Sequence, residues 1–269
     1  MNTQLIGMLA ETFVHVGAGQ SEGVVDLPVA REAVTDFPFI PGSGLKGALL
    51  DWVRQHGVSE ETVEALFGKP DNAGQLLFSD ARLLALPVRS LHGASRWITC
   101  PQLWERYQRD AKRLGKTVPV LKQSPENSHA LGEGGEHVIL EERLFVLDGQ
   151  VPVTLIETMS ELLSHETTRQ RFKTSIMVLS NDDFAWFARY GLAVQARNVL
   201  DEQTKTSNNL WYEENLPPDS LFYSLVSERQ PQKLSGFVAE LEKTPYLQVG
   251  GNETVGQGWL ALAFPEVRS

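Results

Sequence analysis

The sequence predicts an α+β fold, a sheet covered by helices with long loops that carry the specificity. Three observations predict it. Apolar, β-branched runs bounded by Gly and Pro recur along the chain, amphipathic stretches with a 3.6-residue period interrupt them without strict alternation, and neither a repeat nor a linker divides the 269 residues. A single domain over 1–269 is therefore expected, large enough to bury a substantial core without a disulfide.

The elements follow in order. Residues 5–16 are apolar and β-branched and lead into Gly17, Gly19 and Gly23, which predicts a first strand entering a loop. Leu45, Ala48, Leu49, Trp52 and Val53 share one helix face, with Ser43 placed to cap and Gly57 to stop. Ser59, Glu60 and Glu61 open a shorter helix ending near Gly68, because acids in a first turn complement the helix dipole. Residues 75–88 read as extended chain with an irregularity around Asp80. Pro101 opens a helix with Leu103, Trp104, Tyr107, Ala111 and Leu114 inward, closed by Gly115. From 113 to 136 periodicity fades and a mobile insertion is expected.

Strands are expected at 137–147 and 151–156, and a helix at 182–190 capped by Asn181 and stopped by Gly191. Strand-like residues 192–199 and 210–212 bracket the polar turn 201–209, which predicts a projecting hairpin. A strand at 221–226, a helix near 233–241 and a strand at 258–264 complete the pattern.

Cys100 is the one cysteine, so neither an intrachain disulfide nor a Cys-based zinc cage can form, and a reducing cytosol is expected. The first residues lack a basic n-region, and no stretch reaches the roughly 18 apolar residues of a membrane span. A soluble, cytoplasmic protein with no membrane partner is the expectation. The formal net charge of -10 argues against nucleic acid by itself. Its distribution matters more: between Arg96 and Lys122 lie seven basic residues against two acidic ones. That stretch reads either as a solvated helix face or as a phosphate-binding patch.

Gly19-Gln20-Ser21-Glu22-Gly23 matches the G-x-S-x-G nucleophile elbow, but that turn needs a helix behind its serine and Pro28 follows too soon. Gly42-Ser43-Gly44-Leu45-Lys46-Gly47 lacks the Walker A spacing, which argues against an ATPase. It remains either an ordinary Gly-rich start to a helix or a phosphate grip using Lys46 and the helix end. Residues 250–258 place four glycines before the last strand, which permits φ > 0 and close approach of a ligand backbone. Candidate acids and bases are His15, Asp26, Glu213 and Glu214. Asp26 also fits a turn or capping role and His15 a satisfied structural one, and surface carboxylates such as Glu213 and Glu214 are common. No H-E-x-x-H spacing is present among the six histidines, so a tightly held structural metal is not expected.

Four stretches together resemble the RAMP superfamily. They are His15 with residues 23–32, Phe37-Pro38-Phe39-Ile40-Pro41-Gly42-Ser43-Gly44-Leu45-Lys46-Gly47, Phe78-Ser79-Asp80-Ala81 with Pro87-Val88-Arg89-Ser90, and residues 248–258. Trp211-Tyr212-Glu213-Glu214-Asn215-Leu216-Pro217 also fits. The resemblance is nearest to the backbone subunit of type III-B (Cmr) CRISPR effectors. It implies a ferredoxin-like, RRM-related palm with a thumb hairpin near 197–214, whose copies stack along a guide RNA with other Cmr subunits and cut target RNA at regular intervals. It also implies metal-dependent cleavage supported by an aspartate in the loop after the first strand, here Asp26, with a weakly bound Mg or Mn ion held there.

RNA supplies its own nucleophile, the 2′-hydroxyl, so the protein needs few groups. Asp26 can hold the ion or assist proton transfer, and His15 and Glu214 are further acid–base candidates. Ser43, Lys46, Arg197, Gly250, Gly251, Asn252 and Gly256 are the expected RNA contacts. The alternative is a subunit of the same complex that binds RNA without cutting it; a guide-processing nuclease fits the motifs less well.

Overall fold

The computed structural model describes residues 2–19 and 23–265. The first strand, Thr3–Ala10, lies third from one edge of a large mixed sheet. It pairs antiparallel with Leu221–Glu228 on one side and with Trp259–Ala263 on the other, and Leu221–Glu228 pairs antiparallel with Ala81–Arg89. The sheet continues through Ser95–Thr99, Ile176–Leu179, His129–Leu131, Arg143–Gly149 and His137–Leu140, and ends at Tyr246–Gln248 on the opposite edge. Two of these pairings are parallel, which makes the sheet mixed. The expected α+β composition is what the chain adopts.

Alternation along Thr3–Ala10 places Ile6, Met8 and Ala10 in one core and Leu5 and Leu9 in a second, on the opposite face. The strand is thus covered on both faces, which explains why its sequence reads as a continuous apolar run. Helices Gly42–Gln55, Glu60–Phe67, Asn181–Tyr190 and Leu234–Lys243 pack on the first face. Val153–Ser160, Glu166–Ser175 and most of the inner side of Pro101–Arg113 cover the second. Among the described residues no helix is long and apolar enough to cross a membrane.

Several boundaries differ from expectation for identifiable reasons. The first strand ends at Ala10; residues 11–17 continue as irregular chain held by single bridges, such as Val14 to Leu216. Ser43 is not the cap of Gly42–Gln55. Pro41 occupies that position, and Asp80 Oδ1 accepts from the Gly42 N–H at 2.7 Å in place of a local side chain. Asn181 is likewise displaced as a cap by Ser180, whose hydroxyl accepts from Asp183 N. Asn181 instead accepts from Gln102 N, at the start of Pro101–Arg113. Residues 151–156 form no strand: Val153–Ser160 is helical behind Pro152, because a helix buries both Leu155 and Met159 against the core. The irregular stretch after Leu114 lies against the core through Val118 and Leu121, with Pro119 O accepting from Trp104 Nε1, and gives way to the strand His129–Leu131.

Other expectations hold. Gly57 ends its helix at φ +74°, Ser59 accepts from Thr62 N, and the break at Asp80 separates Leu76–Phe78 from Ala81–Arg89. The hairpin Ala193–Leu200 with Ser207–Asn215 stands apart from the main sheet as its own two-stranded sheet. Its turn is closed by Asp201 Oδ1, which accepts from the backbone of Gln203 and Thr204.

Gly7 fits where the second core is tightest, since a Cβ there would lie 2.3 Å from the Leu162 carbonyl oxygen. Gly7→Ala should destabilise the fold by about 1–3 kcal/mol, the usual cost of overpacking a filled core. Thermal unfolding of the two proteins measures it, and an unchanged Tm would refute this account of the packing.

Candidate functional site

Beyond Val14 the chain forms a loop that returns on itself. Ala18 N donates to Pro28 O and Ala30 N to Val16 O, so residues 16–18 run beside 28–30. Leu27 then joins the base of the hairpin: its N–H donates to Tyr212 O, and its carbonyl accepts from Glu214 N. Asp26 is exposed at this junction. Its Oδ2 accepts from Tyr212 N at 2.8 Å, which fixes the carboxylate and leaves Oδ1 with no partner among the described residues. Of the G-x-S-x-G stretch, Gln20, Ser21 and Glu22 lie outside the described residues.

Glu214 is buried beneath the junction. Its Oε2 accepts from Val29 N at 3.1 Å and its Oε1 from Arg31 Nη2 at 2.6 Å. Arg31 is itself oriented by the carbonyls of Asp36 and Ala188. The Glu214 carbonyl takes His15 Nδ1 at 2.8 Å. A carbonyl only accepts, so Nδ1 is the donor in this bond. His15 is 8% exposed, and a Cβ on Gly17 would stand 3.0 Å from Nε2.

Glu213 points the other way and is also buried. It accepts from Trp211 Nε1 at 2.8 Å, Asn252 Nδ2 at 2.8 Å and Arg197 Nε at 3.1 Å. Burial pushes this carboxyl upward, but those three hydrogen bonds and the Arg197 charge outweigh it and hold the group below the usual carboxylate range. The Gly-rich loop is thereby joined to the hairpin. It also sits on the 13–15 backbone, with Gly251 N donating to His15 O and Gly258 N to Phe13 O. Gly250 has φ +80°, and a Cβ there would lie 2.2 Å from His15 O. Its glycine is required by the approach of its own chain. Gly256, at φ +79°, opens onto free space.

His15, Asp26, Glu214, Arg197, Gly250, Gly251 and Asn252 therefore converge at one junction. Ser43 and Lys46 belong to a different groove, beside Gly68–Lys69 and Asn72–Ala73. The basic stretch from Arg96 to Lys122 is largely answered internally: Arg106 binds Glu32, Arg113 reaches Asp110, Arg109 reaches Glu105, and Arg96 donates to Thr174 O. Arg31 escaped the sequence reading. Its partner lies 183 positions away, and no local pattern announces that pairing. Among the described residues no group of three His, Cys, Asp or Glu is placed to hold a metal. A single open carboxylate oxygen does not make a protein cage, but it suits an ion whose other positions are filled by phosphate and water.

Arg31→Met should destabilise the fold by about 3–5 kcal/mol, because Glu214 would remain as a buried charge with no cation; chemical denaturation reads it, and a change under about 1 kcal/mol would refute the role. Glu213, held below its unfolded-state value, contributes stability that is present above the unfolded pKa and is lost as pH falls through the folded one. Glu213→Gln should accordingly flatten the acid limb of the stability profile below about pH 4.3, the ordinary Glu value.

The RAMP superfamily model matches residues 8–261. The CRISPR system Cmr endoribonuclease Cmr4 of Pyrococcus furiosus is 32% identical over 99% of this chain and 97% of its own length. The CMR subunit Cmr4 of Saccharolobus solfataricus is 27% identical over 94% and 93%. In three dimensions, oligomeric Cmr4 from Pyrococcus furiosus superposes with a TM-score of 0.78 at 28% identity, covering all of both chains. A chain of the type III-B Cmr-beta complex bound to cognate target RNA shares the fold, with a TM-score of 0.81 at 21% identity over 98% of this chain and 97% of its own. The chain belongs to the RAMP superfamily, on the branch of the Cmr4 subunits.

Proposed function

We propose that this chain is the guide-RNA-binding filament subunit of a type III-B CRISPR effector and cuts complementary target RNA at regular intervals in antiviral defence. Its partners in this reading are guide RNA, target RNA, further copies of itself and other Cmr subunits. Full-length similarity to a relative named as a Cmr endoribonuclease supports the reading. The observation that carries the assignment to a site is the exposed Asp26 carboxylate, fixed by Tyr212 N and open at Oδ1.

The palm is ferredoxin-like in this reading. Its support is the antiparallel order Trp259–Ala263, Thr3–Ala10, Leu221–Glu228, Ala81–Arg89, with Gly42–Gln55 following the first of these strands in sequence and Leu234–Lys243 following the third. The hairpin Ala193–Leu200 and Ser207–Asn215 is its thumb.

Asp26 accepts the proton of the target 2′-hydroxyl as that oxygen attacks the adjacent phosphorus. The 5′-oxygen leaves and takes a proton from water, giving a 2′,3′-cyclic phosphate and a 5′-hydroxyl. Most of the acceleration comes from splaying the strand toward in-line geometry. Asp26 would be the residue to hold a Mg or Mn ion, which would supply neutralisation of phosphate charge. Arg197 keeps guanidinium N–H groups beyond its Glu213 bond that can face the backbone. Glu214 acts as a positioning residue in this reading, since both of its oxygens are engaged, and His15, buried and held through Nδ1 on the Glu214 carbonyl, supports the loop beneath Asp26.

In the assembled complex, Asp26→Ala should lower target cutting by about 10²-fold or more, the range of a lost acid–base group, with guide and target binding unchanged. Chelation with EDTA should abolish wild-type cutting, and Mg or Mn should restore it. Undiminished cutting by Asp26→Ala would leave this chain an RNA-binding scaffold and place the nuclease elsewhere.

A further inference from the structure

A concavity of about 880 Å³ opens on the sheet face that carries the second core, between Pro101–Arg113, the helices Val153–Ser160 and Glu166–Ser175, and the end of Trp259–Ala263. A volume of that order suits a small ligand. The cavity shares no residue with the Asp26 junction. Its buried side is a set of donors. Tyr107 is 2% exposed, and its hydroxyl makes no hydrogen bond among the described residues. Burial pushes that phenol up, so it stays a neutral O–H. Lys116 is half-buried in the same lining, and its Nζ has no hydrogen-bond or ion-pair partner among the described residues. Burial pulls this ammonium down and the Glu161 charge opposes the pull only in part, so its charge is incompletely compensated. Ser164 Oγ, enclosed in the lining, is also unpartnered. Enclosed polar groups of this kind cost free energy unless they are hydrogen-bonded. The group that answers Lys116 and Tyr107 together is an acceptor, best a carboxylate.

The outer side has the opposite character. Glu157, Glu161 and Glu242 line it, all three exposed and without a salt bridge among the described residues. Glu166 is paired with Arg169 at 3.6 Å, and Lys173 is the remaining cation of the lining. Three cations thus stand against four carboxylates, which leaves the lining one net negative charge. Between the two sides lie the apolar side chains of Val118 and Phe264.

We infer that this cavity binds a free α-amino acid with a cationic side chain, arginine or lysine, its carboxylate against Lys116 Nζ and Tyr107 Oη and its side-chain cation among Glu157, Glu161 and Glu242. Charge balance selects this class. Such an amino acid carries one net positive charge at neutral pH, the complement of the lining. A plain anion would satisfy Lys116 but meet three unpaired carboxylates, and a polyamine would answer the carboxylates but leave Lys116 and Tyr107 without an acceptor. The methylenes that separate the two charged ends suit Val118 and Phe264.

The test is isothermal titration calorimetry of the full chain with L-arginine, citrulline and agmatine. Citrulline keeps the carboxylate and the length of the side chain without its charge; agmatine keeps the guanidinium without the carboxylate. L-arginine should bind saturably and each of the other two about tenfold or more weakly, the effect of losing one charge-assisted contact. Lys116→Met should weaken arginine binding by about tenfold, and Tyr107→Phe, which removes a single oxygen and keeps the ring in the core, by about threefold or more. If Lys116→Met does not fold, Tyr107→Phe and the two analogues decide the matter. No saturable binding of L-arginine, equal binding of citrulline or agmatine, or unchanged affinity in Tyr107→Phe overturns the inference. Tighter binding of a peptide ending in arginine than of arginine itself overturns the choice of a free amino acid in favour of a chain terminus.

Discussion

The buried carboxylate of Glu214 ties three separate pieces of chain into one body. Its side chain takes the Val29 backbone and the Arg31 guanidinium, and its carbonyl takes His15. Without Arg31, a buried charge would lack its cation, and the loop carrying Asp26 would lose its anchor to the hairpin. Everything exposed at the junction depends on this concealed node. Asp26 stands in solvent with one oxygen bonded to Tyr212 N, above residues that are hydrogen-bonded to one another.

Glu213 performs the same service on the hairpin's other side. Arg197, Trp211 and Asn252 all donate to it, which joins the hairpin to the Gly-rich loop. Neighbouring residues of one strand thus face opposite ways and hold different partners, as the period of two requires. The two buried Glu–Arg pairs neutralise themselves and leave Asp26 as the junction's one carboxylate without a cation among the described residues. An acidic protein can meet RNA on these terms, because the two buried carboxylates of the junction are each answered by an arginine.

Strand and helix identity was largely legible where burial and local signals agree. Gly57, Ser59, Pro101 and the break at Asp80 all behave as their chemistry dictates. Reading failed where a distant partner outbid a local one. Ser43 lost its capping role to Asp80, Asn181 was drawn to Gln102, and Val153–Ser160 became a helix through the burial of Leu155 and Met159. The basic stretch looked available because Glu32 is remote in sequence from Arg106.

The sequence by itself determined the family, through motifs spread from His15 to Gly258, and the candidate residues those motifs contain. Glycine positions and apolar periodicity are local constraints, readable without knowing what the chain touches. Only the tertiary structure decided which candidates face outward. Asp26 is open, Glu214 and His15 are committed beneath it, and Lys46 lines another groove. The reason is that a charged side chain's role is set by which groups compensate it, and the fold brings such partners together from far apart in sequence, 183 positions for Arg31 and Glu214.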